Sequence, residues 1–249
     1  MKRLIIKTLK KFGYKIGKAP IVFNGLEVDF DFIPKHHWIL NYKFASIIDI
    51  GANRGQFAVR FRVLFPEAII YSFEPIPEVY AQLSKRFEFD TKFKAFNLGL
   101  GNQTGTIDFF QNEFSDSSSA LPMKSLHKEN FPNTAKEKQI QIQVECLDEV
   151  MKSISLSNSL LVKIDVQGFE EMVILGGEKT IKSASVVIVE VSFYELYEDQ
   201  VYFNTIYEQM QKLGFSYRGN YGQLLSPIDG RVLQADAIFI NDNSNIADN

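Results

Sequence analysis

The sequence predicts an α/β fold built on a doubly wound, mostly parallel sheet, with an antiparallel strand pair at its C-terminal end and an inserted hairpin. Short apolar, β-branched runs alternate with helical patterns from Ser46 onward, which is how parallel strands covered by helices on both faces read. Three of these runs stop at an acid beside a turn, at Asp49, Glu74 and Asp165. One stretch, Gln139–Glu145, breaks the series with strict alternation, the signature of a strand with one dry face and one wet face.

Ser46–Ile50 is the first core strand and stops at Gly51; a helical pattern opens near Gly55 with Phe57, Phe61 and Leu64. Ala68–Phe73 is the second strand, ending at Glu74. Pro75 and Pro77 then start a helix whose Val79, Leu83 and Phe87 recur every four residues; proline suits a first turn, where its missing N–H loses no partner. A third strand is expected at 92–97. Thr106–Gln111 and Gln139–Glu145 form the inserted hairpin, the second an edge or antiparallel strand. Between them lies a polar loop, about 112–138, with serines 115, 117, 118 and 119; loops of this length in a compact domain commonly serve function. The doubly wound pattern resumes with strand Leu160–Ile164, a helix over 168–181 and strand Val186–Glu190. Phe203, Ile206, Tyr207, Met210 and Leu213 make an amphipathic stripe capped by Gly214. Phe215–Arg218 and Ala235–Ile240 close the sheet as an antiparallel pair. The division is a helical or extended lead-in over 1–44, one α/β domain over 45–241 and a disordered tail over 242–249.

Composition narrows the functional classes. Of 249 residues, 45% are hydrophobic and 23% charged, ordinary values for a globular domain. The net charge of −3 gives no global reason to expect nucleic-acid binding. One cysteine, Cys146, excludes an intramolecular disulfide, and with three scattered histidines it speaks against a zinc site; no metal is expected. The start is too short and too charged for a secretory signal, and no apolar run reaches the ~20 residues of a membrane span, so the expected location is cytoplasmic. Residues 1–18 carry seven basic residues and no acid. Two readings of that segment stay open: an amphipathic helix making peripheral membrane contact through Leu4, Ile5, Leu9 and Phe12, or a solvated helix packed on its own domain. Oligomeric state is not legible.

In open α/β sheets ligands bind beyond the carboxyl ends of the strands, where this chain places its acids. The turn Gly51-Ala52-Asn53-Arg54-Gly55 follows the first strand and has Asn53 between its glycines. A dinucleotide site wants a glycine there to admit the pyrophosphate. The pattern instead suits a methionine-type amino acid carried on a nucleoside: Asp49 near the ammonium, Gly51, Asn53 and Gly55 at the close-approach turn, Glu74 accepting both ribose hydroxyls. Asn97, after the third strand, either contacts adenine or caps a turn.

These residues resemble the FkbM-type methyltransferases. Asp49–Phe57 is similar to that family's D-x-G-A-N-x-G-x-F turn, and Phe73-Glu74-Pro75-Ile76-Pro77 to its F-E-P-x-P motif. Asn97–Gly101 resembles the third-strand exit, Lys163–Glu170 the K-I-D-V-E-G-x-E signature, and Val189-Glu190-Val191 the acid ending the next strand. The resemblance spans roughly 45–195 and departs at Gln167, where the family has Glu, and at Gly99, where alanine is usual. It implies a Rossmann-like methyltransferase sheet, S-adenosylmethionine as cofactor, and O-methylation of sugar hydroxyls on surface polysaccharides or glycolipids, or of secondary metabolites.

A hydroxyl acceptor needs a base to take its proton. Asp165, at the strand end nearest the switch point, is the first candidate and Glu190 the second; Glu170 reads as a structural or cofactor-orienting acid. The acceptor, a small molecule or glycan, is expected over the strand ends, under the 112–138 loop and near Tyr194 and Tyr197. His36, His37 and Trp38 receive no role. Two other classes stay open: a non-catalytic cofactor-binding domain, to which Gln167 gives substance, and an NAD-type oxidoreductase.

Overall fold

The computed structural model describes residues 21–23, 26–28, 37–113, 115–157 and 159–244. The basic segment 1–18, His36 and residues 245–249 lie outside the described residues, so the membrane-contact reading is not addressed. Within the lead-in, β1 (Ile21–Phe23) pairs antiparallel with β2 (Leu26–Val28), and a 3-10 helix spans His37–Tyr42. Among the described residues no helix is long and apolar enough to cross a membrane.

The central sheet is laid down by β3 (Ser46–Ile50), β4 (Ile69–Phe73), β5 (Phe93–Phe96), β9 (Leu160–Ile164), β10 (Val186–Ser192), β11 (Phe215–Leu225) and β12 (Val232–Asn241). Across the sheet they run β5-β4-β3-β9-β10-β12-β11. Neighbours from β5 to β10 are parallel, and β12 is antiparallel to both β10 and β11. The chain leaves β3 outward to β4 and β5, then returns to β9 on the other side. The crevice between the β3 and β9 ends is therefore the switch point.

Alternate residues of each strand feed two cores. One face, with Ile48, Ile50, Val162, Ile164, Val187 and Val189, packs α4 (Leu147–Met151), α5 (Glu170–Gly176), α6 (Glu178–Lys182) and α7 (Phe203–Lys212). The other, with Ile47, Ile70, Leu161 and Ile188, packs α1 (Gln56–Leu64) and Leu83 of α2 (Pro77–Arg86). Each such fully buried aliphatic contributes roughly 1.5–3 kcal/mol relative to leaving it in water, so this period-two pattern fixes which side chains can reach the strand ends.

Four details differ from the sequence reading. The hairpin is a separate three-stranded sheet, β6 (Gly99–Leu100), β8 (Glu137–Glu145) and β7 (Gly105–Asn112), in which β8 is central, antiparallel to β7 and parallel to β6. Its alternation comes from one wet face, the other packing Ile140, Ile142 and Val144 on Ile76 and Val79. The polar 112–138 segment holds α3 (Ser125–Asn130) and two short 3-10 turns. The helix expected over 168–181 is two helices divided at Gly177, where adjacent glycines weaken the helix interior. Strand β11 runs on to Leu225 rather than stopping at Arg218.

Candidate active site

A cleft of about 490 Å³ opens at the β3/β9 switch point, within the size range of small-molecule sites. Of the predicted cofactor residues, Gly51, Asn53 and Glu74 line it, while Asp49, Gly55 and Asn97 do not; both predicted catalytic residues, Asp165 and Glu190, line it.

The β3 turn is shaped by backbone conformation. Gly51, Asn53 and Gly55 all have positive φ, at 75°, 47° and 87°. At Gly51 a Cβ would stand 1.8 Å from the Asp165 carbonyl oxygen, so two strand ends approach each other only because this residue is glycine. Asparagine tolerates the left-handed conformation at position 53, and its Oδ1 accepts from the Arg54 N–H at 2.7 Å and the Ser115 hydroxyl at 3.0 Å. The turn amides are engaged within the protein: Gly51 and Ala52 donate to the Phe73 carbonyl and Gly55 to Ala52. What the turn offers the cleft is a close, low surface rather than unpaired N–H groups.

Glu74, 4% exposed, holds that turn to the next one. Its Oε2 accepts from Asn53 N–H and its Oε1 from Ile76 N–H, both at 2.9 Å. Burial nonetheless pushes its pKa up to about 7. Asn97 donates to the carbonyls of Glu74 and Pro75 at 3.0 and 2.9 Å, which fits the turn-capping role weighed for it. Asp49 sits inside β3, fully buried, in register with Ser72 on β4 and Lys163 on β9. Burial raises its pKa to about 6 against the pull of Lys163 and of the Ser72 hydroxyl on the next strand.

The far end of the cleft is a polar network centred on Gln167, itself at φ 55°. Its Nε2 donates to Asp165 Oδ1 at 2.8 Å and to Glu190 Oε2 at 2.9 Å; its Oε1 accepts from the Tyr197 hydroxyl at 2.9 Å. Asp165 also accepts from Lys163 Nζ at 2.8 Å, and its side chain keeps 29% of its surface exposed. Glu190 takes a second amide from Gln234 at 2.9 Å. Burial, then the charges of Asp165, Glu170 and Asp236, hold the Glu190 carboxyl well above its usual pKa. Burial opposes the charge of Lys163, but Asp165, Asp49 and Asp236 outweigh it and keep the ammonium above its ordinary value. Glu170 is turned away, accepting the N–H groups of Val166 and Gly168 at 2.9 and 3.0 Å, as a structural acid does. Tyr197 is fully buried beneath the network, whereas Tyr194 lies outside with Arg231 5.2 Å over its ring.

The serine-rich segment roofs the cleft. Ser115 reaches Asn53, the Ser119 hydroxyl donates to the Gln167 carbonyl at 2.6 Å, and Asp116, His127, Phe131 and Thr134 line the wall. Sequence reasoning missed Asp116, Arg60, Tyr221, Gln234 and Asp236, all of which line the cleft. Asp236 carried a readable signal: a single acid interrupting an apolar strand, as at Asp49 and Glu190. Arg60 had none, lying on a helix as an ordinary basic residue. Acids outnumber bases around the lining, five (Glu74, Asp116, Asp165, Glu190, Asp236) against two (Arg60, Lys163); burial holds Glu74, Asp116, Glu190 and Asp236 above their ordinary pKa, so a cation entering the cleft draws them toward their ionised forms.

A mostly parallel sheet ordered about one switch point, with a glycine turn and an acid cluster at its strand ends, is a Rossmann-like α/β domain. Residues 49–217 match the methyltransferase FkbM domain, and the chain belongs to that family; this sets aside the oxidoreductase reading. It is similar to the 2-O-methyltransferase NoeI of Sinorhizobium fredii, 29% identical over 161 residues covering 62% of this chain and 66% of that protein. It is also similar to the hexuronic acid methyltransferase AglP of Haloferax volcanii, 26% identical over 144 residues, 57% of this chain and 54% of that one. The match thus spans less than two thirds of the length of these relatives. Among solved structures, the methyltransferase FkbM of Methylobacillus flagellatus KT aligns over 80% of this chain and 44% of its own, at 14% identity and a TM-score of 0.48.

Proposed function

We propose that this protein is an S-adenosylmethionine-dependent O-methyltransferase acting on a hydroxyl of a sugar or similar small-molecule acceptor. One observation carries the reading: a single cleft joins a nucleoside-type end, Gly51, Asn53 and Glu74, to a carboxylate end, Asp165 and Glu190. The residues present fit the cofactor. Gly51 lets the β3 and β9 ends close together where any Cβ would strike the Asp165 carbonyl, Glu74 keeps a carboxyl group at the β4 end, and the acid-rich lining suits a cationic ligand. When bound, S-adenosylmethionine supplies an already activated methyl group, so the protein's work is alignment and proton removal. NoeI and AglP, whose names record a 2-O-methyltransferase and a hexuronic acid methyltransferase, support an oxygen acceptor on a sugar.

Asp165 is assigned as the base, because it lines the cleft with part of its carboxylate open and is held from behind by Lys163 and Gln167. Glu190, fixed by two amides and pushed toward its neutral form, orients rather than abstracts. Asn97 supports the cofactor end from outside the lining through the Glu74–Pro75 turn, and Asp49, buried beside Lys163, acts on the carboxylate end.

Isothermal titration of S-adenosylmethionine and S-adenosylhomocysteine into wild type and Glu74→Ala tests the cofactor assignment. Loss of a charged acceptor should weaken binding by about 1.5–3 kcal/mol, roughly ten- to a hundredfold. A wild type that binds neither ligand overturns the reading.

A further inference from the structure

On the far side of the cleft β10 and β12 run antiparallel with Glu190 directly opposite Asp236, and both side chains line the cavity. Glu190 is held by the amides of Gln167 and Gln234. Asp236 is different. Among the described residues no donor hydrogen-bonds its carboxylate, although burial and the Asp165 charge act on it, with Lys163 and Arg60 opposing. Space for it is made on the neighbouring strand. Gly222 pairs with Asp236 at a register shift in β11, and a Cβ at Gly222 would come within 2.9 Å of Asp236 Oδ2. A glycine in a strand beside a register shift marks a place where something approaches closely.

A carboxylate withdrawn from bulk water needs hydrogen-bond donors. With none coming from the protein among the described residues and the cleft before it, its carboxylate is open to donors that a ligand in the cleft brings. On this side Glu190 is pushed toward its neutral form, which leaves Asp165 and Asp236 facing Lys163 and Arg60, so the local charges nearly balance without a charged ligand. Neutral hydroxyls satisfy the carboxylate without adding charge, and Tyr221 and Phe57 line the same side with aromatic surface for an apolar ring face.

We propose that Asp236 is the acceptor-binding residue, its carboxylate receiving hydrogen bonds from hydroxyls adjacent to the one methylated, so that the substrate class is a neutral, vicinally hydroxylated sugar ring. The proposal rests on the methyltransferase reading above, and it concerns a residue beyond the 49–217 family match.

The test uses the full chain saturated with S-adenosylhomocysteine. Saturation-transfer NMR is run with a panel of neutral methyl glycopyranosides and their monodeoxy analogues, on wild type, Asp236→Asn and Gly222→Ala. Cofactor binding is followed calorimetrically in parallel. Wild type is expected to bind at least one glycoside and to discriminate against the analogue lacking the adjacent hydroxyl. Each variant should weaken glycoside binding by about tenfold or more while the S-adenosylhomocysteine affinity stays unchanged. Glycoside binding unaltered in Asp236→Asn, or a cofactor-loaded wild type that takes only anionic glycosides or none, overturns the assignment of Asp236 and leaves the cofactor reading standing. A wild type without cofactor binding overturns both.

Discussion

Gln167 links the two candidate catalytic carboxylates with one amide group. Two N–H bonds leave its Nε2 for Asp165 and Glu190, and its Oε1 is occupied by the Tyr197 hydroxyl. This polarity is forced, since only the NH₂ end can satisfy both acids. The FkbM pattern has Glu here, and a third carboxylate in contact with the other two would demand a proton or another cation. The amide meets that demand with neutral hydrogen bonds. Gln167→Glu, nearly isosteric, should therefore destabilise the protein by about 2–4 kcal/mol at pH 8. The loss should shrink toward pH 6 as the cluster takes up a proton. Urea unfolding at the two pH values checks this; an equal loss at both would show that charge crowding is not the cause. The residue-level reading from sequence was good for acids that interrupt apolar strands. It brought Glu190 to the cleft, and the same signal was present at Asp236, but it also pointed to Asp49, which stays buried inside β3; Asp165 and Glu74 were found instead as acids just past strand ends. Arg60 and Tyr221 became visible only when α1 and β11 were placed over the strand ends.

Helix α1 shows what an element does for this site. Its first turn brings Gln56, Phe57 and Arg60 to the cleft. Farther along, Arg62, 8% exposed, is bonded to Asp90 at 2.6 Å and to the carbonyls of Pro66, Ala68 and Lys92 at 3.0, 2.7 and 3.1 Å. One guanidinium thereby locks the α1–β4 and α2–β5 connections that set the height of β4 and β5. Arg62→Ala leaves a buried acid and several carbonyls unpaired, and a loss of about 3–5 kcal/mol is expected. The midpoint of guanidinium unfolding should drop accordingly, while S-adenosylhomocysteine affinity of the folded fraction is retained because Arg62 does not line the cleft. A shift in affinity larger than the shift in stability would place Arg62 in the site's machinery. Elements with buried faces were legible in the sequence, β3 and β9 to the residue, because β-branched runs and four-residue spacings leave few alternatives. The β6 strand, the helix within 112–138 and the far half of β11 were not legible. Each is short, polar or exposed; β6 is fixed by β8 and the helix by contacts such as Ser226 with Asn130, both distant in sequence, and the far half of β11 by its turn back into β12.

At the scale of the whole molecule the carboxylates make stability a function of pH. Burial raises Asp49 to about 6 and both Glu74 and Glu170 to about 7. Each binds its proton more tightly folded than unfolded, so each contributes stability that is present below about pH 4 and is lost as pH rises to 6–7. His127 acts in the other sense: burial lowers it to about 4, so its contribution is present above 6.5 and is lost as pH falls toward 4. Glu190, Asp116, Glu137 and Asp236 are raised in the same direction, so against His127 alone the apo protein should be more stable at pH 5.5 than at 7.5, by at least about 2–3 kcal/mol. Asp49→Asn should flatten this slope, and an opposite slope in denaturant unfolding across that range would mean the acids are ionised when folded. The same charges couple to the ligand. A cation seated in the cleft favours the ionised carboxylates and expels their protons. Calorimetry at pH 6.5 in two buffers of different ionisation enthalpy should then show proton release with S-adenosylmethionine, and less with S-adenosylhomocysteine, which lacks the sulfonium charge. Equal release by the two ligands would show that the acids sense the amino acid and ribose but not the methylated sulfur, and would move the reacting end of the cleft away from Asp165.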